Sequence, residues 1–163
     1  MFANDADLLH RIAAALLRRH ECFGTAESCT GGLIAAACTD LPGSSQWFER
    51  GVVTYSNEAK TELLGVPAAL IARHGAVSAE VAERMAAGLL ERAPLHWALA
   101  VTGIAGPTGG SAEKPVGTVW LALAQRGQPV QVWRELFGGD RQAVRLQTLR
   151  SGLGALDRAL RQP

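Results

Sequence analysis

The sequence predicts a single layered α/β/α domain with a mixed central sheet, and three observations carry that prediction. Segments with helical and with strand-like apolar periods are mixed along the chain. Trp97 to Val101 is a near-continuous apolar run of the kind found in a buried central strand. Val116 to Ala124 and Val130 to Phe137 are strand-like runs joined by Arg126-Gly127-Gln128-Pro129, a loop of hairpin length. The 163 residues, 48% of them hydrophobic and 19% charged, suit one domain with a full core, so residues 1–163 are read as one unit. No repeat, linker or low-complexity stretch divides them.

Leu8, Leu9, Ile12, Ala13, Leu16 and Leu17 recur at helical spacing between Asn4 and His20, with a candidate cap at Asn4 or Asp5. Cys22 to Glu27 is a short strand, followed by a turn over Ser28, Cys29, Thr30, Gly31 and Gly32 and a second helix opening at Leu33. Pro42-Gly43-Ser44-Ser45 breaks that helix, and Trp47 to Ser56 alternates as a strand or hairpin does. Asn57 to Leu64, Pro67 to Arg73 and Ser78 to Arg92 read as helices stopped by Gly65, Gly75 and Pro94, with Pro67 in a first turn and Ser78 as an N-cap. From Asp140 to Arg161, Val144, Leu146, Leu149, Leu153, Leu156 and Leu160 mark a closing helix, weakened by Gly152 and Gly154.

Composition excludes several classes. Sixteen basic against 15 acidic side chains leave a net charge of +1, without the surplus expected of a nucleic-acid or membrane-surface binder. Any anion site must be local. Three cysteines without a C-x-x-C pair argue against a disulfide framework and a structural zinc site, and His10, His20 and His96 share no ligand spacing with them, so no metal and no cofactor is expected. The acidic start and the absence of a long apolar run there point to a cytoplasmic protein. We expect a homo-oligomer, a dimer being favoured, with neither nucleic acid nor membrane as partner.

Of the 16 basic residues 14 are Arg, and the two lysines are Lys60 and Lys114. Only Lys can lose its proton when buried, so each lysine is a candidate for chemistry. Lys60, early in a helix, is placed for a lowered pKa and for accepting a serine proton, although most lysines at such positions are simply solvated. Ser45, in Pro42-Gly43-Ser44-Ser45, and Tyr55, the only tyrosine, accompany it.

Two further turns are candidate binding elements. Ser28 to Gly32 combines hydroxyls and glycines ahead of a helix N-terminus, so Thr30, Gly31 and Gly32 form either an anion cradle or a tight turn capped by Thr30. Thr102, Gly103, Ile104 and Gly106, following the central strand, form either a ligand loop or a mobile one, and Lys114 closes it. Arg141 and Arg145 open the last helix as a solvated face or a phosphate clamp. Cys29 with His74 would suit a thiol hydrolase, against the ordinary alternatives of a core thiol and a helix end.

Six motifs in order, Thr25-Ala26-Glu27-Ser28-Cys29-Thr30-Gly31-Gly32, Pro42-Gly43-Ser44-Ser45, Val53 to Lys60, His74-Gly75-Ala76-Val77-Ser78, Gly103-Ile104-Ala105-Gly106-Pro107 and Lys114 to Val119, resemble the CinA C-terminal domain family. That family includes stand-alone nicotinamide mononucleotide deamidases. The resemblance implies hydrolysis of the carboxamide of nicotinamide mononucleotide to nicotinate mononucleotide and ammonia, by a metal-free Ser/Lys mechanism in pyridine nucleotide recycling. It does not extend to the other CinA domain, so the pyrophosphatase activity linked to that domain is not implied. The expected roles are Ser45 as nucleophile, Lys60 as general base and later proton donor, and Tyr55 as a group orienting that pair or lining the pyridine pocket, with the rival assignment exchanging Ser28 and Ser45. Ser28 to Gly32, Gly43, Thr102 and the following glycines, Lys114, Arg141 and Arg145 are expected around the substrate. The alternatives are a non-catalytic nucleotide-binding domain associated with competence and DNA damage, and an amidase for another small amide.

Overall fold

A computed structural model describes residues 2–162. The chain runs α1 (Ala6–Arg19), β1 (Phe23–Glu27), α2 (Leu33–Thr39), β2 (Phe48–Val53), α3 (Asn57–Leu64), α4 (Ala68–His74), α5 (Ala79–Arg92), β3 (Trp97–Gly103), β4 (Thr118–Gln125), β5 (Gln131–Leu136) and α6 (Arg141–Leu160). Short 3-10 turns precede α1 (Ala3–Asp5) and β2 (Ser44–Gln46). Three helix starts are fixed by side chains that accept an orphan amide: Ser56 from Ala59, Ser78 from Val81 and Asp140 from Ala143. Asp5 stands at the N-cap of α1 but makes no capping bond. Its carboxylate instead accepts from Arg150 of α6, at 2.8 Å, and so ties the two helices together.

The sheet order is β2-β1-β3-β4-β5. β1 pairs in parallel with both β2 and β3, whereas β3, β4 and β5 are antiparallel. The expected mixed sheet is therefore present, with its parallel half built from the strand–helix units and its antiparallel half from the hairpin.

Alternation along the strands assigns the two faces. Phe23, Trp97, Leu99, Val101, Val119, Leu121 and Leu123 point into a large-residue core against α1, α2 and α6. Ala26, Ala98, Ala100, Ala122 and Ala124 form the opposite face, covered by residues of α3, α4 and α5. Small strand residues let α5 lie close to the sheet, and Gly88 lets α3 lie close to α5. A Cβ at Gly88 would stand 1.9 Å from the Leu64 carbonyl oxygen. The three layers bring the C-terminal ends of the parallel strands β1, β2 and β3 to one edge, where open α/β sheets hold their ligands. No described helix is long and apolar enough to cross a membrane.

Candidate active site

Ser28 is the first residue after β1 and Lys60 lies on α3, which follows β2, the neighbour of β1. Parallel pairing puts both at the same sheet edge. The Lys60 amine lies 3.1 Å from Ser28 Oγ and donates to the Thr54 carbonyl at 2.8 Å. Lys60 is 1% exposed and Ser28 8%. Burial holds the Lys60 pKa below its ordinary value, because an ammonium there lacks water and has no carboxylate partner among the described residues. The Thr54 hydroxyl is buried and has no hydrogen-bond partner among the described residues.

The turn that carries Ser28 is organised by its predecessor. Glu27 is fully buried, and its carboxylate accepts five hydrogen bonds: Oε1 from Thr25 Oγ1 and the Ala35 amide, Oε2 from Thr30 Oγ1 and the amides of Gly32 and Ile34. A buried charge needs this many donors, and the start of α2 supplies them along with the positive end of its dipole. Gly32, at φ +95°, is the N-cap of α2 and provides the left-handed turn that aims these amides inward.

A cavity of about 210 Å³ opens over the pair, with Tyr55, Asn57, Val77, Thr102, Gly103 and Arg141 among its lining residues. Arg141 donates to the Gly106 carbonyl and to Tyr55 Oη, both at 2.8 Å, so one guanidinium bridges the segments after β2 and β3. Arg145, one turn further along α6, donates to the Thr30 carbonyl at 2.7 Å. Both arginines also line a larger cavity of about 560 Å³ with Leu33 and Asp140. Neither has a carboxylate at ion-pair distance among the described residues.

The structure corrects several expectations. Ser45 and Gly43 do not approach Lys60. They precede β2, while Lys60 follows it, and that strand separates them by roughly 17–20 Å. Gly43 faces a different cavity, lined by α1, Leu41 and Trp47. The serine at Lys60 is Ser28. Thr30, Gly31 and Gly32 do not form an empty anion cradle, since the Thr30 hydroxyl and the Gly32 amide are bonded to Glu27 and the Gly31 amide to the Ser28 carbonyl. Thr30 is not the cap of α2 either. Lys114 lines neither cavity; its amine donates to the His74 carbonyl at 2.9 Å.

Thr102 and Gly103 do line the cavity, although the Thr102 hydroxyl is bonded to the Ala76 carbonyl. Ile104 bonds through its backbone to Thr118 and Gly117, and Gly106 enters the site through its carbonyl. The Cys29 thiol is pushed up to about 11, chiefly by burial, so it is no thiolate nucleophile at neutral pH. His74 faces Glu80, its Nδ1 at 3.3 Å. Among the described residues no three His, Cys, Asp or Glu side chains cluster as metal ligands.

Sequence reasoning gave Glu27 no role and passed over Thr54 and Asn57. An acid at the end of an apolar strand, directly before a glycine turn and a helix, is the signal that marks Glu27; no comparable signal marks Thr54.

The profile of the CinA C-terminal domain matches residues 5–160. The protein named nicotinamide-nucleotide amidohydrolase PncC in Shigella flexneri is 53% identical over 150 residues, covering 91% of this chain and 90% of that one. A CinA-like protein of Geotalea daltonii is 54% identical over 161 residues, 98% of this chain but 39% of its own length. In the crystal structure of the competence/damage-inducible protein CihA from Agrobacterium tumefaciens, 96% of this chain and 94% of that one superpose with a TM-score of 0.92 at 47% identity. The chain belongs to the CinA C-terminal domain family.

Proposed function

We propose that this protein is a nicotinamide-nucleotide amidohydrolase, converting nicotinamide mononucleotide to nicotinate mononucleotide and ammonia, with Ser28 as nucleophile and Lys60 as general base. The observation that carries this reading is the buried amine of Lys60 at 3.1 Å from Ser28 Oγ, in a cavity at the sheet edge. Relatives named for this activity match over nine-tenths of their length, which supports the substrate.

The neutral Lys60 amine has two N–H donors and one lone pair. With one N–H on the Thr54 carbonyl, the lone pair is free to accept the Ser28 proton. Ser28 Oγ attacks the carboxamide carbon, Lys60 takes its proton, and the carbonyl oxygen becomes an oxyanion held by backbone amides. Collapse breaks the C–N bond, and the Lys60 ammonium gives its proton to the leaving nitrogen, releasing ammonia. Water then attacks the acyl-serine, Lys60 accepts one of its protons and returns it to Ser28, and nicotinate mononucleotide leaves. The buried Lys60, with its pKa lowered, suits both halves of the cycle.

Arg141 and Arg145, free of carboxylate partners and facing the larger cavity, are the cations for the substrate phosphate. This places the anion on α6 rather than on the turn before α2. The test is ammonia release from nicotinamide mononucleotide compared with nicotinamide riboside, nicotinamide and unrelated small amides. Efficient turnover of the mononucleotide is expected. A preference for a different amide, or no release from any, contradicts the proposal.

A further inference from the structure

We infer that Glu27 is a positioning residue for catalysis: by occupying the amides at the start of α2 it fixes the Ser28 turn and reserves the backbone N–H of Cys29 for the oxyanion. The inference rests on Ser28 being the nucleophile, as proposed above.

An accounting of amides from Ser28 to Ala35 leads to it. The Ser28 amide is bonded to Val101, Gly31 to Ser28 and Leu33 to Thr30, each on a backbone carbonyl. Gly32, Ile34 and Ala35 are bonded to the Glu27 carboxylate. Among the described residues, Cys29 and Thr30 alone in this segment have amides without an oxygen acceptor, and of the two only Cys29 lines the cavity, Thr30 being fully buried. Cys29 directly follows the serine that would form the acyl bond. Glu27 is buried and absent from the cavity lining, so its effect on the reaction passes through the turn and not through contact with substrate.

The chemistry requires a carboxylate. A glutamine of the same shape would place an NH₂ where Oε1 or Oε2 now stands. In one orientation it opposes the Ala35 amide, in the other the amides of Gly32 and Ile34. The threonine hydroxyls can rotate to accept, but backbone N–H groups cannot. Aspartate is one methylene too short to reach α2. Glu27→Gln should therefore loosen the turn without emptying the fold of side-chain volume.

The experiment measures Glu27→Gln and Thr25→Val, the second a near-isosteric change that removes one of the five donors, three residues before the serine. Steady-state ammonia release gives kcat and KM. The rate at which phenylmethanesulfonyl fluoride labels Ser28, read by mass spectrometry, gives serine reactivity independent of substrate; Oγ bonds to sulfur, fluoride leaves and Lys60 takes the proton. Glu27→Gln should lower kcat by about 30-fold or more, with KM within about threefold and labelling slowed in parallel, the range expected when oxyanion donors are misplaced. The pH at half-maximal kcat/KM should not move, because Lys60 is untouched. Thr25→Val should show the same pattern at about two- to tenfold.

Near-normal kcat in a folded Glu27→Gln, or a loss carried mainly by KM, overturns the inference. If Glu27→Gln does not fold, Thr25→Val decides, and wild-type kcat and labelling in it overturn the inference. Failure of the wild type to deamidate nicotinamide mononucleotide while Ser28 still reacts with the sulfonyl fluoride refutes the substrate alone, and labelling rates then decide the role of Glu27. A wild-type Ser28 that does not react overturns the inference itself.

Discussion

The Lys60 amine reaches Ser28 Oγ at 3.1 Å from a helix on the opposite face of the sheet from α2. The contact exists because β1 and β2 are parallel neighbours, so the residues that follow them share an edge. Its energetics follow from burial, which disfavours the ammonium and leaves an amine able to accept a proton.

That burial sets the pH dependence. Below the lowered Lys60 pKa the amine is protonated and cannot act as base, so kcat/KM should rise with pH through that pKa and level off above it. The opposing influence, a negative Cys29, is missing across this range because its thiol stays neutral up to about 11. A kcat/KM that falls as pH rises through neutrality contradicts the assignment.

Stability should carry the same signature. Between the folded pKa of Lys60 and its ordinary value of 10.5, the unfolded chain holds a proton that the folded chain lacks, so stability gains from this group as pH rises across that window. The cost of burying the amine is complete below the folded pKa. Lys60→Met removes this dependence. Denaturant titrations should find the variant more stable than wild type at low pH, with the gap closing toward pH 10.5. A gap independent of pH contradicts a depressed pKa.

Lys60→Arg keeps a cation but supplies no base at usable pH. Turnover should fall by on the order of 10² or more, while nicotinamide mononucleotide binding, read by calorimetry, remains measurable. Near-normal kcat would reduce Lys60 to an electrostatic contact.

Arg141→Ala should raise KM for nicotinamide mononucleotide by about tenfold, the loss of one charge-assisted contact, and change KM for nicotinamide riboside far less. Equal effects on both substrates would place the phosphate elsewhere.

In the fold, Gly88→Ala is the sharpest test of layer packing. Alanine favours a helix interior by about 1 kcal/mol over glycine, but its Cβ would collide with the Leu64 carbonyl. The collision wins, and the melting temperature should drop by roughly 4–8 °C for a net loss of about 2 kcal/mol. A rise would mean that α3 and α5 are looser than they stand here.

Most of the fold was legible because periodicity and capping chemistry are local. Ser78 and Asp140 each precede a helix that starts where its amide-accepting oxygen requires, and the alanines of β3 and β4 belong to runs that read plainly as strands. The site was legible as a set of residue types but not as a set of pairs. Ser45 is closer to Lys60 in sequence than Ser28 is, and only the parallel pairing of β1 with β2 reverses that order in space. The turn Thr30-Gly31-Gly32 looked open to an anion because sequence does not reveal that Glu27 folds back onto the same amides.

The central claim is the identity of the nucleophile, and ammonia release from nicotinamide mononucleotide by Ser28→Ala, set beside Ser45→Ala, tests it most directly. Ser28→Ala should lose on the order of 10³-fold or more in kcat while still binding substrate, and Ser45→Ala, beyond the far end of β2, should stay within about threefold of wild type. An inactive Ser45→Ala beside an active Ser28→Ala would contradict the account.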